Sequence, residues 1–200
     1  MQLNKEQKRQ KKKKSGSAIF MYCVIGATLV ISLVCFILYY GNFFRNAVSL
    51  WTGVTAFTVM YHLWLRIIMG NVTKLFKIHR NQRFFRELPF EKRIYKLLRV
   101  RKWKEKVLTY DPGAYDVKNH TLPEIANTMC KSETDHWINV IISLTTLLFS
   151  LLWGKLPIFL ISAIAAILFD SQFIVVQRYN RPRVMSAIER RTARGKSLKI

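Results

Sequence analysis

The chain has 200 residues, half of them hydrophobic, and its 33 Lys and Arg against 11 Asp and Glu give a formal net charge of +22. The apolar residues are gathered into long blocks separated by basic stretches, which excludes an ordinary soluble domain and reads as an integral membrane protein. The same blocks argue against nucleic acid as the partner of this charge, because membrane proteins carry their basic residues on the cytoplasmic side.

Residues 1–17 form a Lys-rich tail, a charge run expected to be disordered and drawn to anionic lipid. Residues 18–40 carry no charge, are long enough to span, and end on the interfacial pair Tyr39 and Tyr40. After a short turn, a second span is predicted over 47–69, with His62 and Arg66 near its far end. Arg66 reads as a snorkelling interfacial residue, whereas His62 sits deeper. Residues 70–136 are the one large polar region. Within it Phe90, Ile94, Leu97 and Leu98 recur at helical spacing among basic residues, the pattern of a segment lying in the membrane interface. Pro and Gly in "TYDPGAYDVKNHTLPE" predict a loop. A third span follows at 137–153, then the turn "GKLP", a fourth span at 156–176 interrupted by Asp170 and Gln172, and a basic tail over 177–200.

Every Lys and Arg except Arg45, Arg66 and Lys155 falls in the N-tail, the central region or the C-tail. Four spans put all three on one side, and the positive-inside bias makes it the cytoplasm. The predicted fold is therefore an all-α polytopic membrane protein: four transmembrane helices, a cytoplasmic interfacial amphipathic segment, and both termini cytoplasmic in a cell membrane. The sequons at Asn71 and Asn119 are void in that location. The three cysteines form no CxxC pair, so neither zinc nor a disulfide framework is expected, and no metal or bound cofactor is anticipated.

Common enzyme motifs are missing: no phosphate loop, GxSxG or HExxH occurs. His120 and Glu124 make HxxxE, one residue short of the HxxxxD of a large class of glycerolipid acyltransferases, and fall in the predicted loop. Three polar clusters stand out. In "SETDHW", Glu133 and His136 share a helical face if a helix begins there, so the carboxylate could orient the imidazole as a general base. Ser132, Glu133 and Asp135 would equally serve as a helix cap and first turn, and Asp135 is read that way. In the membrane, Asp170 and His62 lie at similar depth and are expected to pair. In "QRYNRPR", 177–183, the arginines can be stop-transfer charge, but topology needs no Gln177, Tyr179 or Asn180.

"VRKWKEKVL" (100–108), Glu133 with "HW" at 136–137, and "VQRYNRPR" (176–183) resemble the glycosyl-4,4'-diaponeurosporenoate acyltransferase family of staphyloxanthin biosynthesis, from about Phe84 to Arg194. The resemblance implies a bacterial enzyme that moves a fatty acyl group onto a glucose hydroxyl of a carotenoid glycoside at the membrane. It assigns no catalytic residue; the roles that follow are read from side-chain chemistry. His136, oriented by Glu133, is expected to deprotonate the acceptor. Arg178 and Arg181, with Lys102 and Lys104, are expected to hold the phosphates of acyl-CoA, the co-substrate. Gln177, Tyr179 or Asn180 would hydrogen-bond the oxyanion or the sugar. Arg101, Trp103 and Arg183 complete the expected binding surface. A non-enzymatic membrane scaffold or anionic-lipid-binding protein needs only the charge pattern and is the alternative; a small transporter centred on Asp170 and His62 is a third.

Overall fold

The computed structural model describes residues 16–107 and 111–197, and the described residues hold helices and no strand. Most of the predicted N-tail lies outside the described residues, as do 108–110 of the predicted loop and the last three residues. The chain divides into two compact units, residues Met1–Trp64 and Leu65–Ile200.

The first unit is a helical hairpin. Helix α1 (Gly16–Tyr40) and the first part of α2 (Ala47–Val72) are joined by a turn in which Asn42 takes a left-handed φ of 59°. Asn46 caps α2, its Oδ1 accepting from the Ser49 amide at 2.8 Å. Ser49, Gly53 and Ala56 form a buried small-residue stripe on α2. It permits close helix approach: a Cβ on Gly53 would stand 3.0 Å from Cys35 Cβ and 3.1 Å from the Phe36 ring. Meanwhile α1 presents Phe20, Val30 and Ile37 outward, an apolar face that water would penalise and lipid would not.

The second unit is built on a long antiparallel pair. Helix α5 (Leu122–Thr145) starts at a capping box, in which the Thr121 hydroxyl accepts from the Glu124 amide and Glu124 returns to the Thr121 amide. It passes into a 3₁₀ stretch (Thr146–Phe149) and α6 (Ser150–Trp153). Hydroxyls of Ser143, Thr146 and Ser150 bond back to carbonyls three or four residues earlier along this tightened segment. Gly154, at φ 70°, and Lys155, at φ 54°, reverse the chain into α7 (Leu156–Ser197), which is 42 residues long. Asn139, Ser143 and Thr146 leave room on α5 and its extension, and Phe159 and Ala163 of α7 are buried at the same end. Following α2 in the chain, the described residues of 73–121 supply 3₁₀ turns and two short helices, α3 (Glu91–Leu97) and α4 (Val100–Trp103).

Three helices, over Ile19–Tyr40, Leu122–Trp153 and Leu156–Gly195, are long and apolar enough to cross a membrane. The predicted second span forms a helix of sufficient length, but Ser49, Thr52, Thr55, Thr58, His62 and Arg66 hold it below the same apolarity. The predicted third span, 137–153, is the apolar end of a helix that begins at Leu122, so Ser132, Glu133 and Asp135 lie mid-helix and cap nothing. The predicted C-tail from 177 continues α7 as helix to Ser197, even through Pro182, which removes one ladder bond to the Arg178 carbonyl. In α3 the buried residues are Glu91 and Tyr95; the periodic Phe90, Ile94, Leu97 and Leu98 face outward.

Candidate active site

Two polar clusters lie along the α5–α7 seam. In the first, Asp170 of α7 is 1 % exposed and carries three partners from its own unit. His136 Nδ1 stands 2.9 Å from Oδ1, and Asn139 Nδ2 donates to the same oxygen at 3.3 Å. Arg66, at the end of α2, donates Nη2 to Oδ2. The His136 ring stacks on Phe173 at 4.5 Å with an interplanar angle of 4°, and the Arg66 guanidinium lies over Phe169. An acid in an apolar helix is costly unless paired, and here a cation, an imidazole and an amide share the task. The partners that Asp170 shows within its own unit are Arg66, His136 and Asn139; the expected pairing with His62, which belongs to the first unit, is not tested by them. His62 is buried on α2, in the first unit, with its ring edge against Tyr61.

Glu133 was expected to orient His136, and it does not. Three residues apart on α5, the two diverge to different parts of α7, and Asp170 is the carboxylate on the imidazole. His136 is 20 % exposed, and its Nε2 carries no hydrogen bond among the described residues. Buried carboxylate, oriented imidazole and accessible second nitrogen form the dyad that general-base chemistry on a hydroxyl requires.

Glu133 centres the second cluster and is fully buried. Arg178 Nη1 donates to its Oε1 at 2.6 Å, and Arg181 Nη1 donates to its Oε2. Arg178 also bonds Glu91 through Nε at 2.8 Å and reaches the carbonyls of Phe84 and Arg86. Arg181 reaches the Phe85 carbonyl and lies over the Phe85 ring. Tyr95 donates to Glu91 Oε2 at 2.7 Å; burial, then the hydrogen bond to Glu91, drives its phenol pKa well upward and keep it neutral. The donors of Arg178 are thereby taken up by carboxylates and backbone, and Arg181, 3 % exposed, is turned inward onto Glu133 and the Phe85 carbonyl. Together they strap residues 84–95 onto the long pair.

The rest of the heptapeptide separates by face. Gln177 Nε2 donates to Tyr115 Oη at 3.1 Å and to Ser132 Oγ at 3.4 Å, and burial raises the Tyr115 pKa. Asn180 accepts from Lys104 Nζ at 3.3 Å. Tyr179 packs edge-on against Tyr95, with the Arg183 guanidinium 3.8 Å above its ring. Trp103 donates Nε1 to the Leu98 carbonyl at 2.8 Å, closing α4 back on α3. Tyr179 and Arg183, together with Arg101 and Lys102, line an open groove of about 940 Å³. The structure thus gathers His136 with Asp170, and separately four of the expected binding residues in the groove. Arg66 and Asn139 were not singled out as site residues; an arginine near the end of an apolar block, one turn after a histidine, was the available signal for the first.

No curated protein and no solved structure matches the chain. A family profile matches residues 81–190, a segment that contains Glu91, Glu133, His136, Asp170 and all of "QRYNRPR". That match covers more than half of the sequence, and the chain belongs to the glycosyl-4,4'-diaponeurosporenoate acyltransferases, a family of carotenoid-biosynthesis enzymes.

Proposed function

We propose that the protein transfers a fatty acyl group from acyl-CoA to a sugar hydroxyl of a glycosylated carotenoid or related membrane glycolipid, with His136 as general base and Asp170 as the residue that fixes its tautomer. The observation that carries this is the 2.9 Å contact between His136 Nδ1 and the buried Asp170 carboxylate. A neutral imidazole holds one proton, and a carboxylate on Nδ1 keeps it there, leaving the Nε2 lone pair basic. Nε2 takes the proton from the acceptor hydroxyl as its oxygen adds to the thioester carbonyl. The tetrahedral adduct collapses with cleavage of the C–S bond, and the departing sulfur takes the proton from the imidazolium. The products are the sugar ester and the free thiol.

Assayed with acyl-CoA and a glycosylated carotenoid acceptor, His136→Ala protein should lose at least about a hundredfold in rate while remaining correctly inserted. Near-normal acylation by that variant removes the base assignment.

The charge distribution supports four crossings with both termini cytoplasmic, α2 being the second crossing, with Ser49, Thr58 and His62 buried. Single cysteines placed at Asn42 and Lys155 should then label only from the outer side of intact cells.

A further inference from the structure

The groove gathers several basic side chains around one opening. Lys96, Arg99, Arg101, Lys102 and Arg190 line it, and among the described residues none of these five makes a salt bridge. Its one acid, Glu87, is engaged with Lys92 at 3.7 Å. Like charges held together repel, and among the described residues no carboxylate comes within salt-bridge distance of these five.

Backbone conformation contributes to the gathering. Arg99 sits at φ 50° and ψ 40°, a left-handed conformation unfavourable for a non-glycine residue. This turn folds α4 back on α3, so Arg101 and Lys102 join Lys96 on one wall. Arg183 and Arg190, seven residues apart and on one face of α7, form the other wall and spread positive charge over about 10 Å. Tyr95 and Tyr179 also line it, packed edge to face, with the Arg183 guanidinium 3.8 Å over the Tyr179 ring. Separated cations suit a ligand with more than one anionic group.

We propose that this groove binds the phosphate groups of the acyl donor's carrier. The inference rests on the acyl-transfer reading above and adds to it where the donor is held. Two carriers share that chemistry: the phosphorylated nucleotide of CoA, and a phospholipid headgroup.

The test uses the full chain in detergent micelles, in the His136→Ala background so that turnover is absent. CoA binding is measured directly, and phosphatidylglycerol is titrated separately in mixed micelles. Lys96→Glu/Arg99→Glu/Arg101→Glu should raise the CoA Kd at least tenfold. Arg99→Ala/Arg190→Ala, which leaves no reversed charge and serves if the triple variant does not fold, should raise it severalfold. CoA binding should also weaken as salt rises from 50 to 300 mM. Phosphatidylglycerol binding with the same sensitivity to these variants, and no CoA binding, supports the groove with a lipid carrier. Binding of both anions unchanged by either variant overturns the proposal. Persistent acyl transfer by His136→Ala would instead remove the dyad and leave the binding result standing.

Discussion

Two arginine-rich regions lie within a few turns of each other on α7, and their chemistry is opposite. Arg178 and Arg181 point into the unit, where Glu133, Glu91 and three backbone carbonyls take up their donors. Arg183 and Arg190 point into the groove, where basic neighbours outnumber a single acid. The difference teaches that density of positive charge does not locate an anion site. What locates it is charge left without a carboxylate. The buried arginines fix the position of residues 84–95, and that position builds one wall of the groove, so the structural region serves the binding region.

The comparison can be broken most severely at Glu133. Removing this carboxylate leaves two guanidiniums buried without compensation, and Glu133→Ala should cost about 3–5 kcal/mol and deplete folded protein from the membrane. Replacing the trio together, as Glu133→Leu/Arg178→Met/Arg181→Leu, should restore much of the melting temperature, because the buried charges are then removed along with their partners. Asp170→Asn should come next for activity, lowering turnover about 10²- to 10⁴-fold because the imidazole loses its orienting carboxylate. Arg178→Lys keeps the charge but not the fork, and should lower stability by about 1–3 kcal/mol in thermal melts. On the groove side, Lys96→Ala should raise the apparent KM for the donor only a few-fold and leave the melting temperature unchanged, since an exposed lysine with no partner holds nothing together.

Much of the helical framework was legible because bilayer-length apolar blocks have few alternatives. What escaped has identifiable causes. The Phe90, Ile94, Leu97 and Leu98 stripe was visible, but periodicity reports a face without saying what that face meets; here it faces outward and Glu91 and Tyr95 are buried. The start of α5 was signalled by Thr121-x-x-Glu124 ahead of an apolar run, yet the Pro and Gly upstream drew the loop across it. For His136 local spacing favoured Glu133 as the neighbouring carboxylate, whereas the contact with Asp170 depends on how α5 and α7 register. The arginines of "QRYNRPR" could not be sorted from sequence, because only two residues, about half a helical turn, separate Arg181, which points at Glu133, from Arg183, which stacks on Tyr179. Membership in an enzyme family also removes the need for the scaffold alternative.

Helix α7 runs unbroken from the dyad to the groove, and a continuous helix is a ruler. From Asp170 to Arg183 are thirteen residues, about 20 Å of rise. On the acyl-transfer reading proposed above, the separation between the groove and His136 is set by the protein before any donor arrives, and a donor is measured by the arm joining its phosphates to its carbonyl. A thioester whose arm is cut short between phosphate and sulfur should occupy the groove yet never bring its carbonyl to His136, binding as an inhibitor of the full-length donor.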